Sequence, residues 1–192
     1  MFKLSKVQNK ILKQILILSV VVAALSILVA VTFSNSSYIT KEGHFREQPI
    51  SFSHQTHVDD VGLQCQFCHH QVNGSANADV PSMETCYGCH QEILNRSAYL
   101  LPVRKAYLTK RSIQWNRVYQ VADHVHFNHS RHIKAGVSCT ECHGDVHKMP
   151  LMATQKHFNM ETCLQCHRTY HGTESAQDLQ RSQLQDCYTC HR

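Results

Sequence analysis

The pattern of apolar and polar positions divides the chain sharply. From Ile15 to Phe33 nineteen residues run without a charge, dominated by Ile, Leu, Val and Ala. That is close to the roughly 20 apolar residues a helix needs to span a bilayer. Lys3, Lys6, Lys10 and Lys13 precede the run, so the positive-inside rule leaves the N-terminus in the cytoplasm and everything from about Ser34 onward outside. A cleaved signal peptide is the competing reading, but its apolar region is usually about 7–15 residues and ends at an A-x-A-like site. Here the run is longer and closes on Thr32-Phe33-Ser34, which favours a retained anchor. The expected layout is a basic cytoplasmic N-terminus over residues 1–14, a transmembrane anchor over 15–33 and an extracytoplasmic domain over 34–192.

All ten cysteines of that domain fall into five copies of Cys-x-x-Cys-His, and the motif changes what the domain is expected to contain. The copies are Cys65-x-x-Cys68-His69, Cys86-x-x-Cys89-His90, Cys139-x-x-Cys142-His143, Cys163-x-x-Cys166-His167 and Cys187-x-x-Cys190-His191. C-x-x-C-H is the attachment sequence of c-type haem. Two thiols add across the two vinyl groups, and the adjacent histidine reaches the iron as proximal ligand. Five covalent haems are expected, with no cysteine left over. Zinc ribbons, redox CxxC pairs and disulfide frameworks are the alternatives, but none needs a histidine directly after the second cysteine. Attachment of c-type haem on the outer side of the bacterial membrane agrees with the orientation of the anchor.

Roughly thirty residues surround each motif, one domain's worth of chain in all. So little chain cannot bury a large side-chain core, and porphyrins would have to serve as the core. The expected fold class is therefore mainly α and irregular: a haem-organised domain of short helices, many carrying a CxxCH, joined by loops, behind one N-terminal transmembrane helix.

A near-repeat runs through it. Phe52-Ser53-His54-Gln55-Thr56-His57 precedes the first motif by seven residues, and Phe127-Asn128-His129-Ser130-Arg131-His132 precedes the third by six. Each copy is followed by a second motif, twenty-one residues from Cys65 to Cys86 and twenty-four from Cys139 to Cys163. Two-haem units repeat, with a fifth haem appended at Cys187. Histidines at i and i+3 share one helical face or splay from a turn, so His54, His57, His129 and His132 are the expected distal ligands. Met149, in His147-Lys148-Met149-Pro150, is the first choice for a fifth, with His147, His70 and His124 competing. His44 and His171 lie in polar flanks and read as surface histidines. Six-coordinate iron throughout would leave no open position for substrate, which points to electron transfer.

Charge alters this picture little. The formal charge is +5, but ten propionates would oppose it, so the basic balance does not argue for nucleic acid. Phosphate-binding loops, nucleophile elbows and H-E-x-x-H helices are absent. The motif-free stretch from Gln91 to Ala122 carries Arg96, Arg104, Lys105, Lys110, Arg111 and Arg117 against Glu92 alone, with Tyr99, Tyr107, Trp115 and Tyr119 among them. Behind a membrane anchor, pairing with propionates or docking of a partner subunit fits that stretch better than nucleic acid. Arginine offers a carboxylate two parallel hydrogen bonds.

The F-[SN]-H-x-x-H spacing before a CxxCH resembles the class III multihaem cytochromes c. There the first histidine ligates the haem that follows and the second commonly reaches another. Phe52-Ser53-His54, Pro81-x-x-x-Thr85-Cys86-x-x-Cys89-His90, Ile113-x-Trp115-x-Arg117-Val118, Phe127-Asn128-His129-Ser130, Gly136-Val137-x-Cys139, Met149-Pro150-Leu151 and Met160-Glu161-x-Cys163-Leu164-x-Cys166-His167-Arg168 look like the pentahaem cytochrome c subunit of alternative complex III. The resemblance runs from about His44 to Arg192. It implies a non-catalytic electron-carrying subunit beside an iron–sulfur subunit related to molybdopterin oxidoreductases and a polytopic quinol-binding membrane subunit. A cytochrome c or a terminal oxidase would be the acceptor.

Two other classes compete. A self-sufficient small quinol dehydrogenase should hold its first haem near the membrane and often carries CxxCHxM, whereas thirty-one residues separate Phe33 from Cys65 and position 71 is Gln71. A multihaem reductase would expose a five-coordinate haem or use CxxCK, and the sequence holds no CxxCK.

Overall fold

A computed structural model describes residues 5–169 and 184–191; His171 lies outside the described residues. The chain divides after Glu42 into two compact units. The first is dominated by α1 (Lys6–Ser34), followed by the short α2 (Ser37–Thr40). Ser5 caps α1 reciprocally with Gln8: Gln8 N donates to Ser5 Oγ at 3.3 Å and Ser5 N to Gln8 Oε1 at 2.9 Å, which satisfies two of the four amides a helix start leaves open. The helix therefore begins well before the apolar run and takes in Lys6, Lys10 and Lys13. None of its residues is buried within the protein. Its few hydroxyls bond back to the helix itself, Ser19 to Leu16 O, Ser26 to Val22 O and Thr32 to Leu28 O, which leaves no polar group unsatisfied in an apolar surrounding. By length and composition α1 is long and apolar enough to cross a membrane, a test that a retained anchor and a signal sequence both meet.

The second unit is helical and irregular, with no strand among the described residues beyond two isolated bridges, Phe45 to Ala153 and Val125 to His191. Its helices are α3 (Cys65–Cys68), α4 (Met83–His90), α5 (Leu101–Thr109), α6 (His129–Lys134), α7 (Cys139–His143), α8 (Met160–Thr169) and α9 (Cys187–Cys190), with a π-helical turn at Gln55–Asp60. Every CxxC lies on a helix. The helices that carry the second motif of each pair both open on Met-Glu-Thr-Cys, at Met83 and at Met160. This second strand of the internal repeat places the cysteines one turn into the helix.

The two halves of the repeat share a backbone path. In each, a turn carries the two histidines and ends on a left-handed glycine, Gly62 at φ +83° or Gly136 at φ +79°. The following amide then closes back on the second histidine, Leu63 N to His57 O and Val137 N to His132 O, both at 3.0 Å. An extended residue, Gln64 or Ser138, then opens the CxxCH helix. The extra residue in the first copy falls between His57 and Gly62. It is taken up by the π-helical turn, the usual way a helix absorbs one inserted residue.

Side chains alone make little core. The buried apolar residues are Val72, Met83, Val103, Ala106, Met149 and Ala153, and no large side chain among the described residues is fully buried. α4 packs on α5 through Tyr87 stacked on Tyr107 with centroids 4.1 Å apart. Lys110 closes the same edge, over the Tyr107 ring at 4.5 Å and 3.6 Å from Glu84. An extended strap over residues 115–119 is tied down by Asn116, which bonds Gln48 and Glu47, and by Arg117, whose carbonyl accepts from Arg46. Arg104, from the basic stretch, is spent on the carbonyls of Asn95 and Ser97.

Candidate haem centres

Each CxxCH helix presents its histidine at the C-terminal end, and backbone carbonyls fix the orientation of most of these rings. Nδ1 of His69 faces Asp79 O at 2.6 Å, that of His90 faces Ile93 O at 3.1 Å, and that of His167 faces Leu184 O at 2.8 Å. Asp79 sits at a left-handed φ of +54°, tolerated by aspartate better than by most residues, and this turn aims its carbonyl at His69. The second histidines follow the same rule: His57 faces Ser53 O, His129 faces Ala76 O and His132 faces Asn128 O, each at 2.8 Å. A carbonyl on Nδ1 places the proton there and leaves Nε2 as a free lone pair, the arrangement a metal-binding imidazole requires.

The rings come together in pairs. Centroids are 6.1 Å apart for His57 and His90, 6.4 Å for His129 and His143, 6.1 Å for His132 and His167, and 5.3 Å for His124 and His191. An ion held between two imidazoles with metal–nitrogen bonds of about 2 Å puts their centroids about 6 Å apart. Four of the five motif histidines thus have a second histidine beside them; for the fifth, His69, the neighbouring His54 is lowered by desolvation first and then by His69.

Burial keeps several of these rings neutral. Desolvation first, then the neighbouring His69 and His57, lower His54 to about 4. Desolvation, then His129 and His69, lower His143 to about 4. Desolvation also lowers His132, against the carbonyl of Asn128. Neutral imidazole is the ligating form.

Two phenylalanines that the sequence pattern marked only as flanks hold the distal pairs. Phe52 meets His54 edge-on at 4.9 Å and stacks on His57 at 4.4 Å. Phe127 repeats this with His129 at 4.8 Å and His132 at 4.4 Å. Tyr119 stands edge-on to His143 at 4.6 Å. The repeated F-x-H-x-x-H string is thus a clamp: one ring sets the angle between two imidazoles.

The other expected ligands lie elsewhere. Met149 is buried at 9% exposure and its carbonyl accepts from Gln55 N at 3.1 Å, so it packs beneath the first histidine turn. His147 is half-buried on the single turn Val146–Lys148. His70 is exposed and lines a cavity of about 350 Å³ with Gln71, Met83, Ser112, Ile113 and Trp115. His124, a competitor in the sequence, is the residue that stands against His191.

These residues fit haem c better than the alternatives. All ten cysteines are free thiols. No three His, Cys, Asp or Glu side chains among the described residues form a metal-ion cage, which disfavours a zinc ribbon. Burial pushes Cys68, Cys86, Cys139, Cys142 and Cys163 up, with thiols of neighbouring motifs adding to the shift. Two buried nitrogens, His54 Nδ1 and Trp115 Nε1, have no protein partner, and the carboxylates of a porphyrin supply acceptors of the kind such donors need.

Comparison with known proteins agrees with this chemistry. Residues 50–102 match the family described as cytochrome c7 and related cytochrome c. The chain is also 35% identical over 100 residues to the menaquinone reductase, multiheme cytochrome c subunit, of Nitratidesulfovibrio vulgaris. The matched segment is 51% of this chain and 46% of that relative, so the chain spans about half of the relative's length. The family match implies covalently bound haem c, and the haem-bearing part of the chain is similar to multihaem cytochromes c.

Proposed function

We propose that the chain is the electron-transfer subunit of a membrane quinone-linked oxidoreductase and holds five haems c, each between two histidines. The observation that carries this reading is the pairing of four motif histidines with a second one, His57 with His90, His129 with His143, His132 with His167 and His124 with His191; we assign His54 to the remaining motif histidine, His69. We place His124 rather than Met149 at the fifth site, because the His124 ring stands 5.3 Å from that of His191 whereas Met149 is buried with its carbonyl accepting from Gln55 N. When bound, haem supplies one-electron chemistry at its iron. The protein's part would be to attach each haem through two cysteines, to orient imidazoles through carbonyls at His57, His69, His90, His129, His132 and His167 and through the Phe52 and Phe127 clamps, and to fill with paired histidines the places a substrate would need.

The anchor reading of α1 places the haem domain on the outer face of the membrane. The resemblance to alternative complex III favours quinol oxidation, with electrons leaving to a cytochrome c or an oxidase. Its partners would be an iron–sulfur subunit related to molybdopterin oxidoreductases and a polytopic quinol-binding subunit. A second reading runs the same conduit in the opposite direction, into a membrane quinone subunit, and the name of the N. vulgaris relative supports it. Purification from native membrane in mild detergent tests both. Five haems by intact mass and pyridine haemochrome, with co-purifying membrane and iron–sulfur subunits, is the expected result. Three or fewer haems, or a chain that purifies alone, would sink it. Quinol-driven reduction of the haems in the isolated complex, against haem-driven reduction of menaquinone, sets the direction.

A further inference from the structure

The five sites, each a CxxCH with its facing histidine, are numbered here by motif. Within each half of the repeat the two sites are neighbours, because one short turn supplies a histidine to both. His54 and His57 lie on one turn against Phe52, and His57 reaches His90. His129 and His132 lie on α6 against Phe127 and reach His143 and His167. Sites 1 and 2 are therefore adjacent, as are sites 3 and 4.

Among the described residues a set of contacts between the halves gathers at site 1, beside the packing of the first histidine turn on Val146–Lys148, where Gln55 N donates to Met149 O at 3.1 Å. The loop that follows the first motif has two customers. Asp79 O takes Nδ1 of His69, while Ala76 O takes both N (3.1 Å) and Nδ1 (2.8 Å) of His129. One residue away, Ser75 O accepts from the amide of the buried Ser130 at 3.1 Å. The turn His70–Asn73, directly behind the first motif, packs on α6. Site 2, by contrast, packs on α5, inside the long motif-free stretch that carries the chain away from site 2 before it returns to build site 3.

Site 5 joins at the far end. Nδ1 of His167 bonds Leu184 O, three residues before Cys187.

On the five-haem reading above, we infer that the haem sites stand in the spatial order 2–1–3–4–5, not in the order of the sequence. The two halves of the repeat meet through their first sites, so sites 2 and 5 are the ends of the array, and the step between halves lies between sites 1 and 3. Redox partners that exchange electrons with the ends would then meet the surface beside α4 and α5 and the surface beside α9, and not the surface beside the first motif.

Iron positions decide the matter. Anomalous diffraction at the iron edge from crystals of the full chain in detergent should show the third iron with the first and fourth as its nearest neighbours. A second iron closer to the third than the first is would overturn the order. Fewer than five irons would overturn it differently, through the haem count on which it rests. Electron paramagnetic resonance gives an independent reading in frozen solution. His129→Ala turns site 3 high-spin and should shorten the relaxation times of site 1 several-fold while leaving site 2 near its original value. His54→Ala and His57→Ala identify the signals of sites 1 and 2. Shortened relaxation at site 2, with site 1 unchanged, would refute the arrangement.

Discussion

At the scale of single residues, the histidines that stand beside a motif histidine were legible where a local spacing marks them, and illegible where the chain must fold back. His54, His57, His129 and His132 announce themselves by spacing. His124 does not: more than sixty residues separate it from Cys187, and no local pattern ties it to the fifth motif. The pairing is made by the bridge between Val125 and His191 and by the bond from His126 N to Cys190 O at 2.8 Å. Methionine is a familiar haem ligand that raises the potential, but a buried methionine such as Met149 is more often packing. A pair of variants separates the two. His124→Ala is expected to turn one haem high-spin. Met149→Leu should leave five low-spin haems at a cost below about 1.5 kcal/mol, as for other volume-conserving core changes. Low-temperature paramagnetic resonance reads the spin states, and thermal unfolding the stability. A low-spin His124→Ala protein beside a high-spin Met149→Leu protein would return methionine to the fifth site.

At the scale of elements, the repeat gave the helices and their order, because CxxCH starts a helix and the flanking turn residues are shared. What it concealed was how two copies of unequal length reach one geometry. The π-helical turn at Gln55–Asp60 holds the extra residue, and the exposed Asp59 and Asp60 lie on it. Deleting Asp60 should therefore convert that turn to the α-helical form of its counterpart, with haem content and the low-spin spectrum retained. Loss of a haem on deletion would show that the bulge itself is required. The glycines that end these turns differ in a measurable way. A methyl at Gly62 meets nothing within 4 Å, so Gly62→Ala carries only the left-handed backbone cost at φ +83°, about 1 kcal/mol. Gly144, directly after the third motif, combines φ +69° and ψ −162° with a Cβ position 3.0 Å from Gln155 Cγ. That backbone region is essentially restricted to glycine, so Gly144→Ala should cost about 1–3 kcal/mol and lower the melting temperature more than Gly62→Ala. Equal shifts in thermal unfolding would contradict this ranking.

At the scale of the whole molecule, composition and motif together foretold a domain with little side-chain core, and the described residues bury only a handful of apolar side chains. The spatial order of the sites was beyond reach of the sequence, because it depends on which carbonyls of one loop meet α6. The same architecture argues that the chain conducts electrons and leaves quinol chemistry to a partner. Quinol oxidation releases protons, and a site for it needs groups to accept them, yet α1 has no ionisable residue between Ile15 and Phe33. Ionisable residues inside a membrane span are the ordinary mark of such proton paths. Expressed alone with all haems incorporated, the chain should therefore be reduced only slowly by a quinol analogue in detergent, and adding the partner subunits should restore fast reduction. Stopped-flow absorbance at the haem α-band follows the rate. Fast reduction of the isolated chain, blocked by quinone-site inhibitors, would make it a quinol dehydrogenase in its own right and overturn the conduit reading.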